Sequence, residues 1–378
     1  MTESPNRDGS EGTNRRTVLG GIGAAVGGGA LVGGGAASAA GQEEATYVVE
    51  QGDRCVPLEP VSGSEPVEEF YGYEQNSNEV NSQQSNTGLE SPSTSRLFLY
   101  EGPEALSLVL LQGGGVSEPG GAASMLISGL PRSGEWAVRD DGYQGATDEF
   151  LETDREAVIH WAWGTEGRVN RRNDGGAFRG LGDDFCVSLR AAFNEDAKFE
   201  PFNEGRVDGI EALSGGGDQP EPVSLDTEAP ITVRTGSCDD DPERCTMATA
   251  TAEEPFAATL TFTCTAVAVE AGEFDAVALE FDDDTTRRFE GPFEGFGAFI
   301  DDRGAERSES GSGTLRAVRV EAGDEQVEAE NPIADRCRSI AAESGDDSDD
   351  GGGDGDDSGG GNGGDGSDGG GDGGGIGF

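Results

Sequence analysis

The hydrophobic residues between Tyr47 and about Gly236 recur mainly at every second position, interrupted by glycine, proline, asparagine and serine. A period of two is typical of β-strands that bury one face. The apolar runs 96–100 and 106–111 flank Glu101-Gly102-Pro103-Glu104, which predicts a β-hairpin. Further strands are predicted over residues 124–127, 135–138, 157–163 and 185–191. Short strands without a long helical period predict an antiparallel β-sandwich.

The same pattern continues in a second block, residues 237–342. Leu260 and Phe262 alternate with threonine, and Val277 and Leu279 alternate before an aspartate-rich turn at residues 282–284. The predicted fold class is therefore all-β, with two antiparallel β-sandwich-like domains at residues 41–236 and 237–342. Within the first, residues 74–95 contain almost no apolar residue and are predicted to be a polar insert, either a surface loop or disordered.

The two ends of the chain lack such a pattern. Residues 343–378 consist largely of glycine, aspartate and serine without a basic residue, which predicts a disordered acidic tail. Gly352-Gly353-Asp354-Gly355-Asp356-Asp357 fits the start of a calcium β-roll repeat, but no apolar residue follows it to build a core. The aspartate triplets at 239–241 and 282–284 are interpreted as hydrated turns. The alternative is that they coordinate calcium.

Residues 1–40 have the features of an export signal. The pair Arg15-Arg16 precedes a glycine- and alanine-rich apolar run at 18–32, and Ala37-Ser38-Ala39-Ala40 follows it. This pattern resembles a twin-arginine (Tat) signal peptide. The resemblance implies that Arg15 and Arg16 are recognised by the Tat translocon and that cleavage near Ala39 or Ala40 leaves no stable membrane span. The alternative is a retained anchor, for which the run is poor in strongly apolar residues.

Charge narrows the possible environments and partners. The chain has 75 acidic against 25 basic residues, a net charge of −50, and Lys198 is its only lysine. Nucleic acids and anionic membranes attract clustered lysine and arginine, so neither is a predicted partner. An acidic chain almost without lysine resembles proteins of extremely halophilic archaea, and the whole chain resembles their Tat-exported proteins of uncharacterised function. In molar salt the Debye length falls to about 3 Å, so surface charges barely repel one another.

The cysteines fit an exported protein. Six are present, and an even count in an exported chain predicts disulfides. Six cysteines allow 15 pairings, and the predicted domains favour Cys55 with Cys186, Cys238 with Cys245, and Cys264 with Cys337. A zinc site is the alternative, but the chain has no CxxC spacing and a single histidine. No metal and no cofactor is therefore predicted.

The region around the only histidine is the main candidate for chemistry. On a strand, His160 and Ala162 face one way while Trp161 and Trp163 face the other. The tryptophans could be core residues, or with Trp136 they could form an aromatic platform for sugar rings. His160 could be structural or catalytic, but no G-x-S-x-G motif supplies a nucleophile, so no catalytic residue is predicted.

These observations favour an exported, salt-adapted, non-enzymatic protein that has a structural or binding role at the cell surface or in the extracellular medium. One alternative is an extracellular carbohydrate-binding or polysaccharide-degrading protein that uses Trp161 and Trp163. Another is a calcium-dependent adhesin. Burial of the two tryptophans would remove the basis for the carbohydrate platform.

Overall fold

The computed structural model describes residues 46–73, 85–114, 120–140, 148–166, 169–171, 173–199, 205–215, 219–240, 245–301 and 313–343. The predicted signal at 1–40, with Arg15 and Arg16, lies outside the described residues, as does the predicted tail after Glu343. The all-β fold class is confirmed. No helix in the described ranges is long and apolar enough to cross a membrane.

The first block contributes fifteen of the strands that the structure describes. In chain order they are β1 (Tyr47–Gln51), β2 (Arg54–Leu58), β3 (Val61–Ser62), β4 (Thr94–Glu101), β5 (Leu106–Gly113), β6 (Gly121–Ser128), β7 (Glu135–Arg139), β8 (Glu149–Glu152), β9 (Glu156–Glu166), β10 (Val169–Arg171), β11 (Asn173–Arg179), β12 (Cys186–Phe193), β13 (Gly209–Ser214), β14 (Glu221–Leu225) and β15 (Ile231–Thr235). The predicted hairpin is confirmed, because β4 and β5 pair antiparallel.

These strands form two sheets that pack face to face. The first sheet has the order β10-β9-β6-β12-β15-β1-β2, with β8 paired to β9, and the second has the order β14-β13-β4-β5-β11-β7, with β3 paired to β4. Side chains alternate along each strand, so one face of each sheet points into a shared core. Leu108 and Leu110 of the second sheet belong to the same buried cluster as Ile159, Trp161 and Trp163 of the first.

The outer face of the second sheet is also covered. Helix α1 (Val67–Tyr71) follows Pro66 and ends at Gly72, whose φ of 68° is the left-handed conformation that glycine adopts readily. Val67 and Tyr71 pack on Phe98 and Val109 of that face, together with Leu89. Residues 85–93 of the predicted polar insert are irregular chain in which Ser85 and Leu89 are buried, and residues 94–95 begin β4. The remainder of the predicted insert, residues 74–84, lies outside the described residues.

The second block is one bent sheet rather than two stacked ones. Its elements are β16 (Ala248–Ala252), β17 (Ala258–Phe262), β18 (Ala266–Phe281), β19 (Thr286–Ile300), β20 (Leu315–Ala322), β21 (Glu325–Glu330) and helix α2 (Ala334–Glu343). The long β18–β19 ladder carries register shifts between residues 271 and 276. Strand β17 pairs with the first half of β18 and β20 with the second half, yet Leu260 and Val318 share one core. The bend thus produces the sandwich-like interior.

Strand β15 ends at Thr235 and β16 begins at Ala248, and the described parts of both blocks belong to one compact unit. Leu126 and Val158 on the outer face of the first sheet pack against Ala266, Ala268 and Ile300 of the bent sheet. The outer face of the first sheet is therefore buried against the second block. We call the contact region between them the joint.

The buried carboxylate of Glu156, on strand β9, forms hydrogen bonds with the second block across the joint. It accepts hydrogen bonds from the backbone N–H groups of Cys264 and Thr265, at 2.8 and 3.0 Å. It also accepts hydrogen bonds from the hydroxyls of Thr263, at 2.8 Å, and Thr265, at 2.5 Å. Burial raises the pKa of Glu156, although the four hydrogen bonds act in the opposite direction.

Three disulfides are present, but two differ from the favoured pairing. Cys264–Cys337 is confirmed, whereas Cys55 pairs with Cys238 and Cys186 pairs with Cys245. Both corrections have the same cause: β15 lies between β1 and β12 in the first sheet, so the chain leaving β15 passes near Cys55 and Cys186. Two disulfides thus fasten the segment between the blocks to the first sheet.

Candidate functional site

A cavity of about 690 Å³ opens at the joint, between the outer face of the first sheet and β19. A volume of this size is typical of small-molecule sites, which combine an apolar lining with a few polar groups. We call it the joint cavity. Its residues come from strands β6, β8, β9 and β19 and from residues 197–198.

The polar end of the joint cavity is built on a cross-strand pair. Ser124 of β6 and His160 of β9 lie directly opposite one another in the antiparallel ladder. Their side chains are buried, with Ser124 Oγ 2.8 Å from His160 Nδ1. Ser124 Oγ also accepts the backbone N–H of Lys198 at 2.9 Å. Among the described residues, Nδ1 is the acceptor within reach of the buried serine proton. We therefore assign the serine O–H as donor to Nδ1 and the ring proton to Nε2, the tautomer that satisfies this buried hydroxyl.

The second ring nitrogen faces the cavity. His160 Nε2 is 3.8 Å from Glu149 Oε2, beyond hydrogen-bond distance, and has no hydrogen bond to a described residue. Glu149 is opposite His160 in the β8–β9 ladder, and its carboxylate forms an ion pair with the Lys198 ammonium. Burial, with a smaller effect of the Lys198 charge, lowers the pKa of His160 to about 3. The imidazole is consequently neutral near neutral pH.

The opposite wall is aromatic. Phe293 lies with its ring centroid 5.1 Å from Phe274 and 5.0 Å from Phe299, and Phe289 lies 5.2 Å from Phe299. Phe299 is buried, whereas Phe289 and Phe293 are partly exposed at the cavity. The wall therefore offers aromatic surface opposite the polar groups.

A second cavity, of about 620 Å³, also has Phe296 in its lining and combines charged and polar side chains with small apolar residues. Its most buried charged group is Arg190, which pairs with Glu270 across the joint and donates to the carbonyl of Thr227 at 3.0 Å. The Arg190 guanidinium also lies 5.7 Å from the Phe296 ring centroid. These contacts hold the two blocks together, so we interpret Arg190 as structural.

The predicted alternation at residues 160–163 is confirmed, but a sugar platform is wrong. Trp161 and Trp163 lie in the core between the first two sheets, with exposures of 0% and 2%, and Trp136 is 6% exposed. Rings buried at this level cannot stack on a sugar at the surface. His160 lies on the opposite face and lines the joint cavity, as the alternation requires.

The described residues contain no group of three or more histidine, cysteine or acidic side chains that could hold a metal ion. Asp282, Asp283 and Asp284 form an exposed turn, in which the carboxylate of Asp283 accepts hydrogen bonds from Thr285. The calcium β-roll pattern in the tail lies outside the described residues.

Sequence reasoning missed Ser124, Glu149 and Lys198 as partners of His160. One signal was available: the only lysine and the only histidine of the chain both line the joint cavity, and both face Glu149. Every other Lys or Arg position of the chain is arginine. The compact Lys198 ammonium is therefore the one lysine charge in the molecule, and it pairs with Glu149.

We expect His160 to make stability fall as the pH decreases. The unfolded histidine has a pKa of about 6.5, so at pH values between this and about 3 the unfolded state binds a proton that the folded state does not. Stability is then fully present above pH 6.5 and is lost towards pH 3. Between pH 7 and pH 4 the loss from this group is about 3 kcal/mol.

Chemical denaturation of the wild-type protein and of His160→Gln in molar salt would measure this contribution. Because Glu149, Lys198, Arg288, Glu290 and Glu294 also line the cavity, the quantity to compare is the difference between the two proteins at each pH. Parallel pH dependences in wild type and variant would contradict the assignment to His160.

No protein-family model, no curated protein sequence and no solved structure matches this chain.

Proposed function

We propose that this chain is an exported, salt-adapted, non-enzymatic binding protein of the cell surface or extracellular medium, and that it holds its ligand in the joint cavity. The observation that carries the proposal is the cavity itself. It combines an aromatic wall with a small set of polar groups, and it lies between two blocks fastened by disulfides and by Glu156. Such a rigid, amphipathic pocket supports binding.

Two features of the polar end support binding over catalysis. Ser124 is only 1% exposed, so its hydroxyl has little access to a substrate carbonyl. A general base works best with a pKa near the operating pH, and His160, with a pKa of about 3, is a weak base at neutral pH. The Ser124–His160 pair therefore fits a role in orienting hydrogen-bonding groups.

Three disulfides indicate an oxidising compartment, since thiols stay reduced in most cytosols. This supports export, and the Arg15-Arg16 pair suggests the Tat route. The excess of acids fits an extracellular medium of high salt. We therefore propose the Tat translocon as the partner during export.

Changing Arg15→Lys together with Arg16→Lys should retain most of the protein inside a halophilic host. The substitution keeps both charges but removes the planar guanidinium groups, so it separates recognition from charge. Immunoblots of cells and medium would measure the distribution, with Arg7→Lys as the matched control. Unchanged secretion of the double variant would refute Tat export.

A further inference from the structure

The second ring nitrogen of His160 is a polar atom that a molecule in the joint cavity can reach. His160 is 2% exposed and lines the cavity, yet its Nε2 makes no hydrogen bond to a described residue. Nε2 is therefore the ring atom that a molecule in the cavity can reach, and a hydrogen bond to it would orient that molecule.

The geometry around Nε2 sets the kind of group that fits. Nε2 and Glu149 Oε2 are separated by 3.8 Å, which a single oxygen atom can bridge at about 2.8 Å from each. Because Ser124 keeps the ring proton on Nε2, that oxygen must accept a hydrogen bond from His160. Because Glu149 is a carboxylate, the same oxygen must also donate one. A hydroxyl group does both.

The charges around the cavity disfavour the other head groups. An ammonium cannot accept the Nε2 proton, and Glu149 is already paired with the Lys198 ammonium. A carboxylate cannot donate to Glu149, and it would meet the further carboxylates of Glu290 and Glu294 at the rim. In molar salt the long-range attraction of charged ligands is screened, whereas burial of apolar surface is not weakened.

We infer that the joint cavity binds a small neutral molecule with a hydroxyl head and an apolar or aromatic body. The hydroxyl lies between His160 and Glu149, and the body packs on Phe289 and Phe293. Ser124 is a positioning residue, because its hydroxyl is bonded to Nδ1 and so fixes the imidazole tautomer. This inference rests on the proposed binding function and adds the class of ligand.

The single histidine allows a direct test by ¹⁵N NMR. Protein labelled only at histidine should give one pair of ring-nitrogen signals, both from His160. Three probes of similar shape would be titrated in molar KCl: benzyl alcohol, benzylamine and benzoate. Benzyl alcohol should shift the Nε2 signal and bind about tenfold more tightly than the other two, which corresponds to one net hydrogen bond.

Two carboxylate variants separate the hydrogen bond from the charge. Glu149→Ala should weaken benzyl alcohol binding about fivefold to tenfold, because the hydroxyl loses its acceptor. Glu325→Ala removes the same charge at an exposed position outside the cavity lining and should leave binding unchanged. Ser124→Ala should move the ring proton partly to Nδ1, which the ¹⁵N shifts of the free protein report.

Equal binding of all three probes, or tighter binding of benzylamine or benzoate, would overturn the hydroxyl assignment while leaving a binding function in place. Failure of benzyl alcohol to shift the His160 signals would also overturn it. The export half of the proposed function is judged separately by the localisation of the double arginine variant.

Discussion

Transfer of the folded protein from molar salt into dilute buffer is expected to abolish its tertiary structure. The net charge of −50 repels itself, and the Debye length grows from about 3 Å at 1 M to about 10 Å at 0.1 M. Basic residues are so few that one arginine can pair with several acids: Arg179 forms ion pairs with Glu68, Glu104 and Glu135. Most of the other carboxylates depend on salt for screening.

The buried tryptophans report this transition. Near-ultraviolet circular dichroism and tryptophan fluorescence, recorded over a dialysis series, should change together as Trp161 and Trp163 become exposed to water. A parallel series in which sucrose replaces part of the salt tests whether screening, rather than general exclusion from the surface, is responsible. A native spectrum retained in dilute buffer would contradict salt adaptation.

The change Glu156→Gln should lower the free energy of unfolding by about 3–5 kcal/mol. The substitution keeps the volume but replaces one acceptor oxygen with an NH₂ group that faces N–H and O–H donors. About two charge-assisted hydrogen bonds are lost at about 1.5–3 kcal/mol each. The lost hydrogen bonds are those that join the first sheet to the second block.

Denaturant titration in molar salt would measure the loss, with the exposed Glu328→Gln as the control. All samples must stay oxidised, and wild-type protein unfolded without reductant should contain no free thiol, because all six cysteines are paired. Equal stabilities of the Glu156 and Glu328 variants would show that the buried carboxylate does not hold the joint.

The strands were predictable because their alternation is local. The period of two placed Trp161 and Trp163 on the same face of a strand, which the structure buries in the core, and the turn at 101–104 identified the β4–β5 hairpin. The bend in the second block was not predictable in this way. The hydrophobic alternation is regular on both sides of the register shifts near residues 271–276. The sequence pattern therefore does not indicate that the strand changes direction there.

The disulfides and the joint cavity depend on contacts between distant parts of the chain. The pairing of Cys55 with Cys238 spans 183 residues and follows from the position of β15 beside β1, which no local pattern specifies. Likewise Ser124, Glu149 and His160 meet because β6 and β8 flank β9. Only the rarity of lysine and histidine in the composition pointed towards these positions.

The position of the single lysine also provides a chemical handle. Reagents that acylate primary amines react with lysine but not with the guanidinium of arginine, and the Lys198 side chain is 45% exposed. Apart from the amino terminus of the chain, such a reagent has one target, located at the mouth of the cavity. A fluorophore or a solid support could thus be attached at a defined place without engineering a cysteine into a disulfide-bonded protein.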